Sequence, residues 1–275
     1  MPAQSQLVLS LFPGVGLLDR AFEETGFAIV RGPDAIWGGD IHRFTAPAGH
    51  FTGIIGGPPC QKFCLANRER DVEAGMALVK EYLRNVTSGQ PDWWLMENVP
   101  GSPFVTTLPG YIVQNFTLNA AHVGSEQHRL RKFSFGHRPG TRELVIARTG
   151  PQPGPSQRTC LASEGKRKGR RTWAEFCQLQ GLPNGFDLPP FKLMEKYQAV
   201  GNGVPYPMAL ALAQAILSRD RAVTPQRTCA CGCGAFVTGR AFLATAACRK
   251  RMERAGQTVK RKQKPAASQL HLVSF

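Results

Sequence analysis

The chain has 275 residues, 42% of them hydrophobic and 19% charged, with a formal net charge of +15. That length suffices for one large buried core and a small appendage, and the charge favours polyanionic partners. No segment offers the roughly 18 uninterrupted apolar residues of a membrane span. The apolar run Leu7 to Phe12 lacks the basic lead-in of a secretory signal, so a soluble intracellular protein, cytoplasmic and with no membrane contact, is expected. The eight cysteines are not spaced as a disulfide scaffold. Cys60 and Cys64 sit in a loop context, Cys160 and Cys177 stand apart, and Cys229, Cys231, Cys233 and Cys248 cluster near the end. A reducing compartment suits a reactive thiol.

In chain order, Leu7 to Phe12 reads as a buried strand and Pro13 to Gly16 as the turn leaving it. Leu17, Leu18, Ala21 and Phe22 then repeat at helical spacing before Gly26. Phe27 to Val30 is expected as a second strand and Gly53 to Ile55 as a third, each feeding a Gly/Pro-rich loop. Met76, Leu78, Val79 and Leu83 mark a helix, and Trp93 to Met96 a strand that ends at Glu97. Leu144 to Ala147 reads as a further strand, Gly150 to Arg171 as an exposed basic loop or small insertion, and Pro207 to Leu217 as a core-packed helix. Alternating strands and helices predict an α/β fold, a mostly parallel twisted sheet with helices on both faces and ligands beyond the carboxyl ends of its strands.

Two residues stand where chemistry is expected. Cys60 follows an apolar strand in Gly56-Gly57-Pro58-Pro59, and the prolines fix the backbone ahead of the sulfur. A thiol is intrinsically nucleophilic once ionised; a cysteine filling core space beside a turn is the plainer alternative. Glu97 closes the run Trp93-Trp94-Leu95-Met96, where a carboxylate is costly unless hydrogen-bonded or functional. On a pyrimidine the pair has a direct use: thiolate attack at C6 pushes electrons toward C5, and a proton shared with Glu97 at N3 removes the charge that builds up.

Six ordered motifs then give a resemblance. Leu11 to Gly16 resembles the cofactor-binding glycine loop of the cytosine-C5 DNA methyltransferases, Gly57-Pro58-Pro59-Cys60-Gln61 their nucleophile loop and Glu97-Asn98-Val99 their proton-handling motif. Gln127-His128-Arg129-Leu130-Arg131 is similar to their Gln-x-Arg-x-Arg, Gln178 to Pro183 to the motif after the recognition region, and Gly201-Asn202-Gly203-Val204-Pro205 to the last one. The resemblance spans most of residues 7 to 217. It implies a Rossmann-like fold that uses S-adenosylmethionine, attack by Cys60 on a flipped-out cytosine, Glu97 at N3, Arg131 at O2, and Arg129 bracing the pair. Methyl transfer to DNA is the implied activity, as in restriction-modification systems, by a stand-alone methylase acting as a monomer on double-stranded DNA. An RNA cytosine-C5 methyltransferase, or a nucleic-acid-binding protein that has lost turnover, are the alternatives.

The same resemblance implies a cofactor site. Gly14 and Gly16 would approach its amino-acid end, with Phe12 and Pro58 against it. Asp34 would take the ribose hydroxyls, Trp37 would stack near the adenine, Asp40 would reach the adenine amino group, and Asn202 and Val204 would come from the last motif. Two departures stand out. Ser10 occupies a position usually acidic in the family, and only five residues separate Asp34 from Asp40, where a helix and a strand are usual.

The implied organisation is a catalytic and cofactor-binding core over residues 1–149, a short basic target-recognition loop over 150–171, the remainder of the target-side segment and a return to the catalytic core over 172–219, and a basic cysteine-containing tail over 220–275. A recognition element this small predicts short or relaxed sequence specificity, because its lysines and arginines hold phosphates without reading bases. From Arg221 onward there are 11 Lys/Arg against one acidic residue, Glu253. Cys229, Cys231, Cys233 and Cys248 could close a structural zinc site, although three alternating positions are awkward ligands for one tetrahedral ion. A basic tail without fixed structure is the rival reading.

Overall fold

The computed structural model describes residues 6–63, 71–150, 157–221, 227–229, 231, 233, 236–237 and 245–254. The chain divides into two compact units, Met1–Arg221 and Ala222–Phe275. The first is built on a six-stranded sheet of β1 (Leu7–Leu11), β2 (Ala28–Arg31), β3 (Gly53–Gly56), β4 (Trp93–Asn98), β5 (Ile112–Asn119) and β6 (Leu130–His137), in the spatial order β2-β1-β3-β4-β6-β5. Strands β2, β1, β3 and β4 run parallel, and the apolar sequences of the inner strands β1, β3 and β4 suit strands buried on both faces. Strands β6 and β5 close the sheet antiparallel to β4. The order reverses at β1, so loops leaving β1 and β3 diverge and open a crevice at their carboxyl ends.

Among the described residues of this unit the α-helices are α1 (Leu17–Thr25), α2 (Val72–Gly89), α3 (Trp173–Leu179), α4 (Leu193–Asn202) and α5 (Tyr206–Arg221). One sheet face carries a core in which Phe22, Trp93 and Phe135 meet Met208, Leu212 and Ile216 of α5. The opposite face buries Trp94, Met96 and Ile54 against Val79, Tyr82 and Val86 of α2. The Tyr82 hydroxyl lies 3.0 Å from the Ile54 carbonyl and 2.9 Å from that of Leu95, which fixes α2 against β3 and β4.

The two tryptophans alternate across β4 and each needs a glycine on the neighbouring strand. Gly53 pairs with Trp93, and Gly136 of β6 pairs with Trp94. A Cβ at Gly53 would lie 2.3 Å from the Trp93 ring, and one at Gly136 would lie 2.1 Å from the Trp94 indole nitrogen. Those contacts are far inside van der Waals range, so the indoles occupy the space a side chain would take.

One expected strand does not form. Leu144 to Ala147 is irregular, because the Gln114 side chain of β5 takes the pairing role: its Nε2 donates to the Leu144 carbonyl and its Oε1 accepts the Leu144 N–H, each at 2.9 Å. Leu144 is buried while Val145 faces solvent. In the second unit β7 (Arg227–Thr228) and β8 (Phe236–Val237) pair antiparallel, and α6 spans Ala246–Arg254. Among the described residues no helix is long and apolar enough to cross a membrane. Replacing Gly136 with Ala should destabilise the first unit by about 1–3 kcal/mol through overpacking against Trp94. Urea denaturation followed by tryptophan fluorescence measures this, and an unchanged midpoint would contradict the packing described.

Candidate active site

Strands β3 and β4 lie side by side and in register, with Gly56 opposite Met96. The next residue on each strand is therefore adjacent too: a Cβ on Gly57 would come within 3.0 Å of Glu97 Oε2. Only a bare backbone leaves that oxygen its place. Asn98 Nδ2 donates to the Pro58 carbonyl at 3.3 Å, tying the end of β4 to the loop that carries Cys60. Cys60 and Glu97 line one cavity of about 640 Å³ at the strand ends, within the range of small-molecule sites. Cys64 lies outside the described residues.

Glu97 is buried, and burial pushes its carboxyl above the ordinary range against the pull of Arg131 and Arg129. Arg131 Nε stands 2.8 Å from Glu97 Oε1, so one carboxyl oxygen faces a cation and the other faces Gly57. Arg129 is almost fully buried, and desolvation together with Arg131 brings its guanidinium down to about 9, still charged at neutral pH. It is stabilised by three main-chain carbonyls: Cys160 at 2.6 Å, Gly201 at 2.7 Å and Gly203 at 2.9 Å.

Gln127 and Gln180 extend this buried polar layer. Gln127 Nε2 donates to the Leu179 carbonyl at 2.8 Å and to Gln180 Oε1 at 2.9 Å, while its Oε1 accepts the Cys160 N–H at 3.1 Å. Gln180 Nε2 donates to the Val200 carbonyl at 2.6 Å. Side chains just before β6 thereby hold the segments at 160, 179–180 and 200–203 in one arrangement. Gln127 and Gln180 are legible in the sequence as motif members only; in the fold their amides connect distant segments.

The cavity gathers part of the expected cofactor set. Phe12, Gly14, Asp34, Pro58, Asn202 and Val204 line it, whereas Gly16, Trp37, Asp40, Arg129 and Arg131 do not. Phe12 and Gly14 both take positive φ, 55° and 57°, which bends the loop after β1. Asp34 accepts the Gly14 N–H at 2.8 Å and the Ile36 N–H at 2.9 Å. Trp37 donates from its indole to the Gly14 carbonyl at 2.7 Å. Asp34 and Trp37 therefore brace the glycine loop from the exit of β2. Gly16 starts α1 and packs beneath the Arg31 guanidinium. Asp40 caps the single turn Ile41–Arg43 through the His42 N–H, and Arg84 of α2 holds that turn by its carbonyls.

Two features of this cavity escape sequence reasoning. Pro190 and Phe191, from the segment before α4, form a wall of it, and Phe191 meets Trp37 edge to face with ring centroids 5.5 Å apart. A phenylalanine in a Pro-rich stretch carries no periodic signal that could have marked it. The carboxylate missing at position 10 is also present from elsewhere: Asp19 of α1 is fully buried, accepts from Ser10 Oγ at 2.6 Å and pairs with Arg31 at 2.8 Å. Both Ser10 and Asp19 line the cavity, and burial raises the Asp19 carboxyl.

The segment expected as an exposed basic loop is partly anchored. Its residues 151–156 lie outside the described set. Glu164 is buried and takes Arg171 NH1 with both oxygens at 2.8 Å, and Gly165 packs against Tyr197 of α4. Arg158, Arg167, Lys168 and Arg170 surround a second depression there. In the C-terminal unit the Sγ atoms of Cys229, Cys231, Cys233 and Cys248 all lie within 4.8 Å of one another, so the alternating positions do converge.

The sequence profile of the C-5 cytosine-specific DNA methylases matches residues 35–103, the stretch that holds Cys60 and Glu97. The chain is 33% identical over 162 residues to the type II methyltransferase M.NgoPII of Neisseria gonorrhoeae, covering 48% of each protein. It is 33% identical over 168 residues to M.MthTI of Methanothermobacter thermautotrophicus, again covering 48% of each. It thus spans about half the length of these curated relatives. Among solved structures, a variant of Spodoptera frugiperda DNMT2 superposes with a TM-score of 0.53 at 14% identity, over 78% of this chain and 100% of that one, a likeness of fold. The profile match falls on the strands that place the thiol beside the carboxyl, and over this stretch the chain is similar to the cytosine-C5 DNA methyltransferases.

Proposed function

We propose that the protein transfers a methyl group from S-adenosylmethionine to C5 of cytosine in double-stranded DNA, through a covalent bond between Cys60 Sγ and C6. The observation that carries this reading is the buried Glu97 carboxyl, one oxygen turned to the Cys60 loop and the other to Arg131, inside a single cavity. Attack by the thiolate at C6 moves an electron pair toward C5 and N3. A carboxyl whose affinity for its proton is raised by burial can hold or hand over a proton at N3, which stabilises the attacked ring. Arg131 keeps that carboxyl oriented and lies near the O2 edge of a base so placed. Loss of the C5 proton and departure of the Cys60 thiolate restore the ring and the enzyme. Reaching C6 requires the base to leave the duplex stack, and the basic segment around Arg158 and Lys168 is suited to hold the backbone meanwhile.

The cavity fits the cofactor by its donor set. The loop from Phe12 to Gly14, bent by two positive φ angles, lines the cavity, and each Asp34 oxygen keeps a lone pair for ribose hydroxyls beyond its N–H bond. Phe191, Pro190 and Ile36 supply an apolar slot for a flat ring. When bound, S-adenosylmethionine supplies an electrophilic methyl on its sulfonium. We further propose that the four C-terminal thiols hold a structural zinc ion.

Tritiated methyl incorporation into duplex DNA and into tRNA, with Cys60→Ser and Glu97→Gln beside the native protein, tests the reading. Label is expected in duplex DNA alone, reduced to background in Cys60→Ser and by about 100-fold or more in Glu97→Gln. Label in tRNA alone would make this an RNA methyltransferase, and label in neither, with cofactor bound, a binding protein. Arg131 lowers the affinity of Glu97 for its proton, so Arg131→Gln should raise it further. The alkaline limb of the single-turnover rate, where Glu97 loses its proton, should then move to higher pH. A limb that stays in place or moves down would remove Glu97 as its origin. Phe191→Ala should weaken S-adenosylhomocysteine binding about tenfold in calorimetry while leaving duplex affinity unchanged.

A further inference from the structure

Among the described side chains of the C-terminal unit, Cys229 and Cys248 form the buried cluster, with Cys231 packed against them. Small units of this size are commonly stapled by a metal. The thiols are placed for one. Four thiolates at about 2.3 Å from a tetrahedral zinc ion stand about 3.8 Å from each other. Here Cys229 and Cys231 are 3.4 Å apart, Cys233 and Cys248 are 3.7 Å apart, and no pair of the four exceeds 4.8 Å. Three of them lie between the paired strands β7 and β8, and the fourth lies in the first turn of α6.

Helix α6 has nine residues, below the roughly 12–15 at which an isolated helix persists in water. Its first turn is fixed through Cys248, whose N–H bonds Thr245 Oγ1 at 3.3 Å. Cys248 and Met252 form its inner side, and Lys250 and Arg254, one turn apart, stand opposite, with Arg249 and Arg251 on the flanks. All four cations are exposed, and Glu253 is the only acidic residue from Arg221 to the end. A cationic ridge anchored at one end by a metal is a surface for a row of phosphates, since it offers charge without a pocket for bases.

We propose that a zinc ion on Cys229, Cys231, Cys233 and Cys248 fixes α6 so that Lys250, Arg251 and Arg254 grip the phosphate backbone of duplex DNA. This rests on the zinc and DNA readings above and assigns the C-terminal unit a grip on DNA independent of sequence. It adds phosphate contacts to those offered by the basic segment around Arg158 and Lys168.

The test uses the full chain with any affinity tag removed. Elemental analysis should find about one zinc and no iron per chain; less than about 0.2 zinc overturns the proposal at its metal. Binding of an arbitrary duplex of about 20 base pairs is then followed by fluorescence anisotropy across a potassium chloride series. In the triple variant Lys250→Ala/Arg251→Ala/Arg254→Ala the zinc should remain, and the slope of log affinity against log salt should become shallower by about 2–3. Glu253→Lys, which adds a cation to the same helix, should steepen the slope by about 1. Zinc at full occupancy with both slopes equal to the native one overturns the phosphate role alone. Failure of the methyltransferase reading shows separately, as absent methyl transfer and absent S-adenosylhomocysteine binding in the native protein.

Discussion

The parallel pairing of β3 with β4 is the constraint from which the site follows. Two parallel neighbours end at the same edge, so the loop after one and the tip of the other meet without any long-range device. Gly57 then stands against Glu97, and Cys60 is three residues further on a loop held by Asn98. The pairing itself is locked from both sides, since Gly53 and Gly136 accept the indoles of Trp93 and Trp94 on opposite faces. A thiol and a carboxyl contributed by separate segments thus share one cavity because the sheet register leaves them no other arrangement.

What keeps the cavity closed on its far side is a buried layer of polar side chains. An arginine, two glutamines and the carbonyls they bond join the segments at 160, 179–180 and 200–203, beside the apolar packing of α5 on the sheet. The Arg129 guanidinium carries a desolvation cost that lowers its proton affinity, and three carbonyl acceptors offset it. Such a layer is directional where apolar packing is not: each donor accepts one geometry, so the loop at 201–203 is set to within a hydrogen bond of the cavity it lines. The same charge acts on Glu97, so the group that holds the last loop in place also tunes the carboxyl.

Much of the parallel half of the sheet was legible in the sequence, because apolar runs bounded by Gly and Pro are what strands buried on both faces look like. Cys60 and Glu97 were legible for the same reason, each marking the end of such a run. The antiparallel half was not, since β5 and β6 alternate apolar with polar residues; Gln127, Arg129 and Arg131 were marked by their motif, but the segments they hold together are seen only in the fold. Leu144 to Ala147 misleads in the opposite way: its apolar residues satisfy a strand pattern, but one glutamine side chain supplies the hydrogen bonds that a neighbouring strand would have made. Phe191, Gly57 and Asp19 depend on contacts between segments far apart in the chain, and no local pattern encodes them.

The shortened connection between β2 and β3 has a consequence for how the protein works. Only two single turns, Ala35–Trp37 and Ile41–Arg43, stand where a longer connection could wall the cavity, and Asp40 is engaged in capping the second. The wall is supplied instead by Pro190, Phe191 and the α4 residues Glu195 and Gln198, from the part of the chain that follows the basic segment. Those residues are positioned by the same α4 against which Gly165 and Glu164 of that segment are packed. The cavity wall and the basic segment are therefore packed against one helix, α4.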